Sequence, residues 1–87
     1  MENELVKPNI NLNGSDGMEL ARQYYEAAQA VENAANLMGR LVHGRDYQGS
    51  PDGAYERAYE QMVERLKPMI SAYNDLKAIA EHCVEEA

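Results

Sequence analysis

The 87 residues carry 15 acidic against 8 basic side chains, a formal charge of −7. They make one domain at most and exclude general nucleic-acid binding, which works by neutralising phosphates. The same charge disfavours an anionic membrane surface, no apolar run approaches the roughly 20 residues of a membrane span, and no apolar signal segment follows the N-terminus.

The lone Cys83 has no partner for an internal disulfide, so a reducing compartment, the cytoplasm, is expected. Six Tyr stand with no Phe and no Trp, so every ring carries a hydroxyl that needs water or a partner. Ala dominates the apolar residues, which leaves little bulk for a core. A short chain of this kind gains stability by oligomerising.

In chain order, residues 1–14 read as an N-terminal segment. Asn9 to Gly14 alternates polar and apolar residues, which predicts a short extended stretch. Asn13-Gly14 signals a turn, and Ser15 or Asp16 caps the helix that follows. Asp16 with Glu19 matches a capping box.

Helix 1 is predicted over about 15–43, ending near Gly44 in a left-handed C-terminal cap. Leu20, Tyr24, Ala27, Val31, Ala34, Met38 and Leu41 are spaced 4-3-4-3-4-3, an unbroken heptad pattern. Ala21, Ala28, Ala35 and Val42 form a second stripe beside it, more than one helix contact needs. Tyr25 lies off the seam, towards a partner subunit.

Residues 44–50 form the hinge, and Ser50-Pro51 reads as N-cap and first turn of helix 2 over 51–86. Its seam is Tyr55, Tyr59, Met62, Leu66, Met69, Tyr73, Leu76, Ala80 and Cys83, again with 4-3 spacing. Val63, Ile70 and Val84 lie alongside. Pro68 falls inside this run and predicts a kink rather than a break.

Folding at the hinge pairs Leu41 with Tyr55, Met38 with Tyr59, Val31 with Leu66, Tyr24 with Tyr73 and Leu20 with Leu76. Small residues then face large ones at the Ala34–Met62 and Ala27–Met69 levels. The expected fold is all-α, a long antiparallel two-helix hairpin, with Ile10 and Leu12 or a second subunit covering Ala80, Cys83 and Val84. Both extra stripes point to a homo-oligomeric bundle, a dimer or higher.

Chemistry concentrates at the hinge. Residues 40–57 hold three Arg (Arg40, Arg45, Arg57) against three acids (Asp46, Asp52, Glu56), so all seven net negative charges lie elsewhere. Arg suits bidentate phosphate or carboxylate recognition, and Tyr47 and Tyr55 offer faces for a base. An anion site would comprise Arg45, Asp46, Tyr47, His43, Arg40, Arg57 and Tyr55. The same residues also fit a plain structural loop, with Arg45 and Asp46 pairing locally and Arg40 favouring a helix C-terminus.

Elsewhere the pattern gives no catalytic group. His82 and Cys83 are adjacent on a helix and point about 100° apart, so His82 reads as solvated and Cys83 as a small seam residue. Two distant His and one Cys make no zinc site. Glu60 and Glu64 read as an exposed acidic face. No cofactor, metal or enzymatic activity is expected.

The frame Ile10-Asn11-Leu12-Asn13-Gly14-Ser15, then Gly44-Arg45-Asp46-Tyr47, then a second long helix with Arg65, resembles a group of short bacteriophage proteins. These share an I-x-L-N-G-[TS] opening and a G-R-D-Y hinge, and the resemblance spans residues 10 to about 83. The group has no established activity, so the resemblance implies a setting: small phage proteins that act against host defence. In that setting the expected function is capture of an anionic, nucleotide-like signal by a helical oligomer. Arg45 would hold phosphate, Tyr47 would stack, and Asp46 would bond ribose hydroxyls or orient Arg45. The alternatives are an acidic module that blocks a basic host defence protein, and a structural or accessory bundle.

Overall fold

The computed structural model describes residues 4–10 and 16–87. Two α-helices pack antiparallel, α1 over Gly17–Gly39 and α2 over Ala54–Glu86, with a single-turn 3₁₀ helix at Gly44–Tyr47 between them. The described residues contain no strand. The all-helical hairpin expected from the heptad spacing is the observed fold.

Asp16 is the N-cap of α1: its carboxylate accepts from the backbone N–H of Met18 at 3.0 Å and of Glu19 at 3.4 Å. That satisfies two of the free donors of the first turn. The reciprocal half of the capping box does not form, because Glu19 turns outward to Arg22 and Gln23. Arg22 also pairs with Glu26. Hydrogen bonds from Arg22 and then Gln23 hold the Glu19 carboxyl below its ordinary value. Its contribution is present above the usual carboxylate range and is lost as pH falls through the lowered value. The groups are exposed, so the effect on stability is small.

α1 ends at Gly39, four residues short of the expected end at 43, where the Arg40 N–H bonds the Leu37 carbonyl and the Leu41 N–H bonds that of Met38. Gly44 takes no left-handed cap; among the described residues the glycines with positive φ are Gly49 and Gly53. Gly44 instead opens the 3₁₀ turn, closed by Asp46 N–H to His43 O at 3.0 Å. The hinge thus carries its own backbone bonds. α2 starts later than the Ser50-Pro51 signal suggests. Pro51 O accepts from Ala54 N–H at 3.1 Å in a turn, and Gly53, at φ 82°, is the N-cap. A residue with a Cβ is strained there. α2 then runs 33 residues unbroken through Pro68.

The line of closest helix approach differs from the expected seam. Gly17, Ala21 and Ala28 are buried, while Tyr24, Val31, Ala35, Met38 and Val42 are half-buried. Leu20 and Ala34 are half-buried on one flank, and Ala27 and Leu41 are exposed. The true seam is therefore the stripe of small residues, sharing only Tyr24, Val31 and Met38 with the expected one. Small residues win because they let the backbones approach, leaving bulkier neighbours to cover the flank. On α2, Met62, Leu66, Met69, Tyr73 and Leu76 are half-buried and Ala80 and Cys83 fully buried. Towards the hinge Ala58 takes the inner position, and Tyr59 is 55% exposed.

Register moves too. A Cβ at Gly17 would lie 2.8 Å from Cys83 O and 2.9 Å from the Ala87 Cβ. The expected pairing sets Gly17 beside Ala80, so the helices are offset by about one turn. The N-terminal arm closes one flank of the open end. Ile10 is buried against Ala21 and Cys83, with Leu20 and Ile79 packed around it. His82 Nε2 lies 2.9 Å from the Pro8 carbonyl oxygen. His82 is thus a half-buried tie for the arm, not a solvated side chain. Residues 4–9 have no regular structure and Ile10 is helical, against the extended stretch expected there. Leu12 and the Asn13-Gly14 turn lie outside the described residues.

The result is a thin slab, 61 × 30 × 14 Å. Its radius of gyration is 18.4 Å, against about 12 Å for a compact chain of this length. Among the described residues the buried apolar core is Ile10, Ala21, Ala28, Ala80 and Cys83, only one of them large.

Candidate functional site

Two regions carry chemistry: the hinge end and the faces of the slab. At the hinge, the 3₁₀ turn presents Arg45, Asp46 and Tyr47. Arg45 is 79% exposed in its side chain, with Nε 3.9 Å from Asp46 Oδ1. Arg57 folds back on the loop, its Nη1 donating to Asp52 O at 3.2 Å. Arg40 and His43 are exposed. The turn does gather the aromatics. Tyr47 and Tyr55 rings lie 6.1 Å apart, and Tyr55 and Tyr59 rings 6.5 Å apart. Tyr59, assigned to the seam from its spacing, belongs to this run. The i, i+4 relation of Tyr55 and Tyr59 was the signal for it.

Two of the three arginines are engaged locally. One is tied to its neighbour and one to the loop backbone. Four grooves among the described residues are lined by the stem and the arm, with none of Arg40, His43, Arg45, Tyr47, Tyr55 or Arg57 in their walls. Among the described residues no group of three or more His, Cys, Asp or Glu is placed to hold a metal ion. His82 is engaged with Pro8 and Cys83 is buried, so they form no nucleophile–base pair.

The slab has two unlike faces. On one, Leu20 and Ile79 are covered at the open end by Ile10 and the arm. On the other, Met18, Tyr25, Val63, Ile70 and Val84 are all exposed. Helical spacing puts residues 18, 25, 32 and 39 on a single stripe of α1, and 63, 70, 77 and 84 on a single stripe of α2. Two grooves follow these stripes. A groove of about 360 Å³ near the open end is lined by Met18, Ala21, Tyr25 and Val84. A second, of about 480 Å³ and nearer the hinge, has Val31, Ala35, Leu66, Met69 and Ile70 in its walls.

The face residues carry charge of both signs. Arg22 and Glu26 line the first groove and Glu32 the second. Lys77, on the α2 stripe, holds its ammonium 5.4 Å from the centre of the Tyr73 ring. Sequence spacing had marked Tyr25, Val63, Ile70 and Val84 as lying off the seam. It gave no hint of Met18, nor that the arm would cover the open end of one face and leave the other open.

No protein-family model, curated protein or solved structure matches the chain. No helix among the described residues is long and apolar enough to cross a membrane.

Proposed function

We propose that the chain is a helical interaction module, which works by docking its uncovered face onto other helices and turns over no substrate. The observation that carries this is the asymmetry of the slab. The arm shields the open end of one flank, while five large apolar side chains stay exposed along the opposite face. Contiguous exposed apolar surface of this kind marks an interaction site. The thin core points the same way, since two helices with so little buried bulk need a further layer.

The test is thermal unfolding of the wild type, of a Tyr25→Lys/Ile70→Lys variant, and of a Leu41→Lys control. Leu41 is exposed but lies off this face. The wild type is expected to melt at a temperature that rises with concentration, or to melt cooperatively only with a partner present. The double variant loses that dependence and the control keeps it. A lone chain that melts cooperatively, independently of concentration and unaffected by both lysines, overturns the proposal.

The tyrosine run at the hinge supports a second reading, capture of an anionic, nucleotide-like small molecule by the assembled protein. Tyr47 and Tyr55 would stack on its base and Arg45 would hold its phosphate. In the setting implied by the phage resemblance, such capture removes a host immune signal. Nucleotides are then expected to raise the melting temperature by several degrees. Arg45→Ala should erase the shift with helix content unchanged; a shift that persists in that variant refutes the site. The acidic surface fits a third use, blocking a basic protein, and that association would weaken steeply with salt.

A further inference from the structure

We infer that the uncovered face is closed by a second copy of this chain, lying antiparallel to the first across a two-fold axis, to make a four-helix bundle. This rests on the interaction-module reading and names its partner.

The size of the missing interface comes first. The chain exposes 6489 Å². A compact chain of 9.8 kDa exposes about 5,200 Å². The excess, about 1,300 Å², exceeds the roughly 800 Å² per partner of a stable interface. A slab face of 61 × 30 Å has room for it.

The pattern on the face is the stronger ground, because it is self-complementary. The α1 stripe is Met18, Tyr25, Glu32 and Gly39, with its midpoint between Ala28 and Gln29. The α2 stripe is Val63, Ile70, Lys77 and Val84, with its midpoint between Tyr73 and Asn74. In the observed register, with Gly17 against Cys83 and Ala87, those midpoints stand at one level of the slab. A two-fold axis through that level, perpendicular to the helices and parallel to the face, therefore serves both stripes at once. It lays α1 on its own copy and α2 on its own copy, each pair antiparallel.

Each residue then meets a fitting partner. Met18 comes over Gly39 of the other copy, where a Cβ would have nothing within 4 Å. Tyr25 comes over Glu32, which can accept from its hydroxyl. Val84 meets Val63, and Ile70 meets the aliphatic stem of Lys77. The groove near the open end of one copy lies over the groove nearer the hinge of the other.

Charge favours the same orientation. The hinge segment 40–57 is neutral and all seven net negatives lie outside it. Loop-to-loop alignment would bring the two acidic open ends together. The antiparallel arrangement sets each acidic end against a neutral one. Two chains of like charge still repel, so self-association is expected to strengthen with salt, opposite to capture of a basic partner.

Cysteine cross-linking of the full chain tests the inference, with Cys83 buried and out of reach. Gln29→Cys lies beside the axis and is expected to form a disulfide-linked pair readily under mild oxidation. Met18→Cys is expected to form little, because its copy is roughly 30 Å away at 1.5 Å per residue. Gly39→Leu is expected to weaken self-association by about tenfold or more while preserving helix content. The added side chain has open space in the lone chain and takes the place of Met18 in the pair.

Equal cross-linking at both positions overturns the antiparallel axis. A monomer at all concentrations and salt strengths overturns the second copy. If that monomer lacks a cooperative melt, the interaction reading stands with a different partner. If it melts cooperatively by itself, both fall.

Discussion

Pro68→Ala is expected to stabilise the protein by about 3 kcal/mol, an unusually large gain from one exposed position. Pro68 sits inside α2, which continues through it for its full 33 residues. Its ring nitrogen has no hydrogen to give the carbonyl one turn earlier, at Glu64, and its ring crowds that carbonyl. Pro68 is exposed, so little packing is lost with it. The Glu64–Lys67 ion pair beside it, at 2.7 Å, is exposed and contributes little. The substitution therefore restores a bond and raises helix propensity with little to set against them. Urea unfolding at fixed protein concentration reads the change as a higher midpoint with an unchanged slope. A variant no more stable than the wild type would mean that the packed form of the protein uses the local geometry Pro68 imposes.

Gly17→Val is expected to act in the other direction, by about 1–2 kcal/mol. Glycine in a helix is ordinarily a weakness, and replacement would gain up to about 1 kcal/mol in propensity for Ala and less for Val. Here contact decides the sign. A Cβ at Gly17 would approach Cys83 O to 2.8 Å and the Ala87 Cβ to 2.9 Å. The first is a backbone atom inside a helix and cannot rotate aside. The helices must separate at their open end, where Ala21, Cys83 and Ile10 form a buried cluster. Overpacking of this kind costs about 1–3 kcal/mol, more than propensity returns. The substitution also reports on register. If α1 and α2 paired with Gly17 beside Ala80, Val would be tolerated. Thermal unfolding of Gly17→Ala and Gly17→Val, expected to fall in that order, separates the two pairings.

The hairpin was legible because two heptad patterns ran unbroken for the length of both helices. The seam was less so, for a specific reason. Tyr24, Val31 and Met38 belong to two heptad phases at once. One completes them with Leu20, Ala27, Ala34 and Leu41, the other with Ala21, Ala28, Ala35 and Val42. Hydrophobicity favours the first, and close backbone approach favours the second. Only packing of the two chains of atoms decides between them, and it chooses the small residues. The start of α2 was misplaced because Ser50-Pro51 carries a strong local signal, while Gly53 acts through a backbone angle. The role of Ile10 could be read from its isolation in a polar segment. The tie from His82 to Pro8 could not, since a main-chain carbonyl leaves no trace in residue type.

The hinge shows the limit of reasoning from residue type. Arg, Asp and Tyr are suitable for a nucleotide, and the turn does bring three tyrosines into a run. Whether the charges point at a shared space is a matter of loop geometry. That geometry ties Arg45 towards Asp46 and Arg57 to the loop backbone. The exposed face emerged only when the arm had been placed. Before that, both flanks of the hairpin looked equally in need of cover.

Small-angle X-ray scattering across a range of protein and salt concentrations tests the central claim most directly. A lone hairpin has a radius of gyration of 18.4 Å and a longest dimension near 61 Å. The expected result is a forward scattering equal to two chains, with the longest dimension almost unchanged, because the second copy lies on the face and adds thickness. Forward scattering of one chain with the dimensions of the lone hairpin, from a protein that melts cooperatively, would contradict the account.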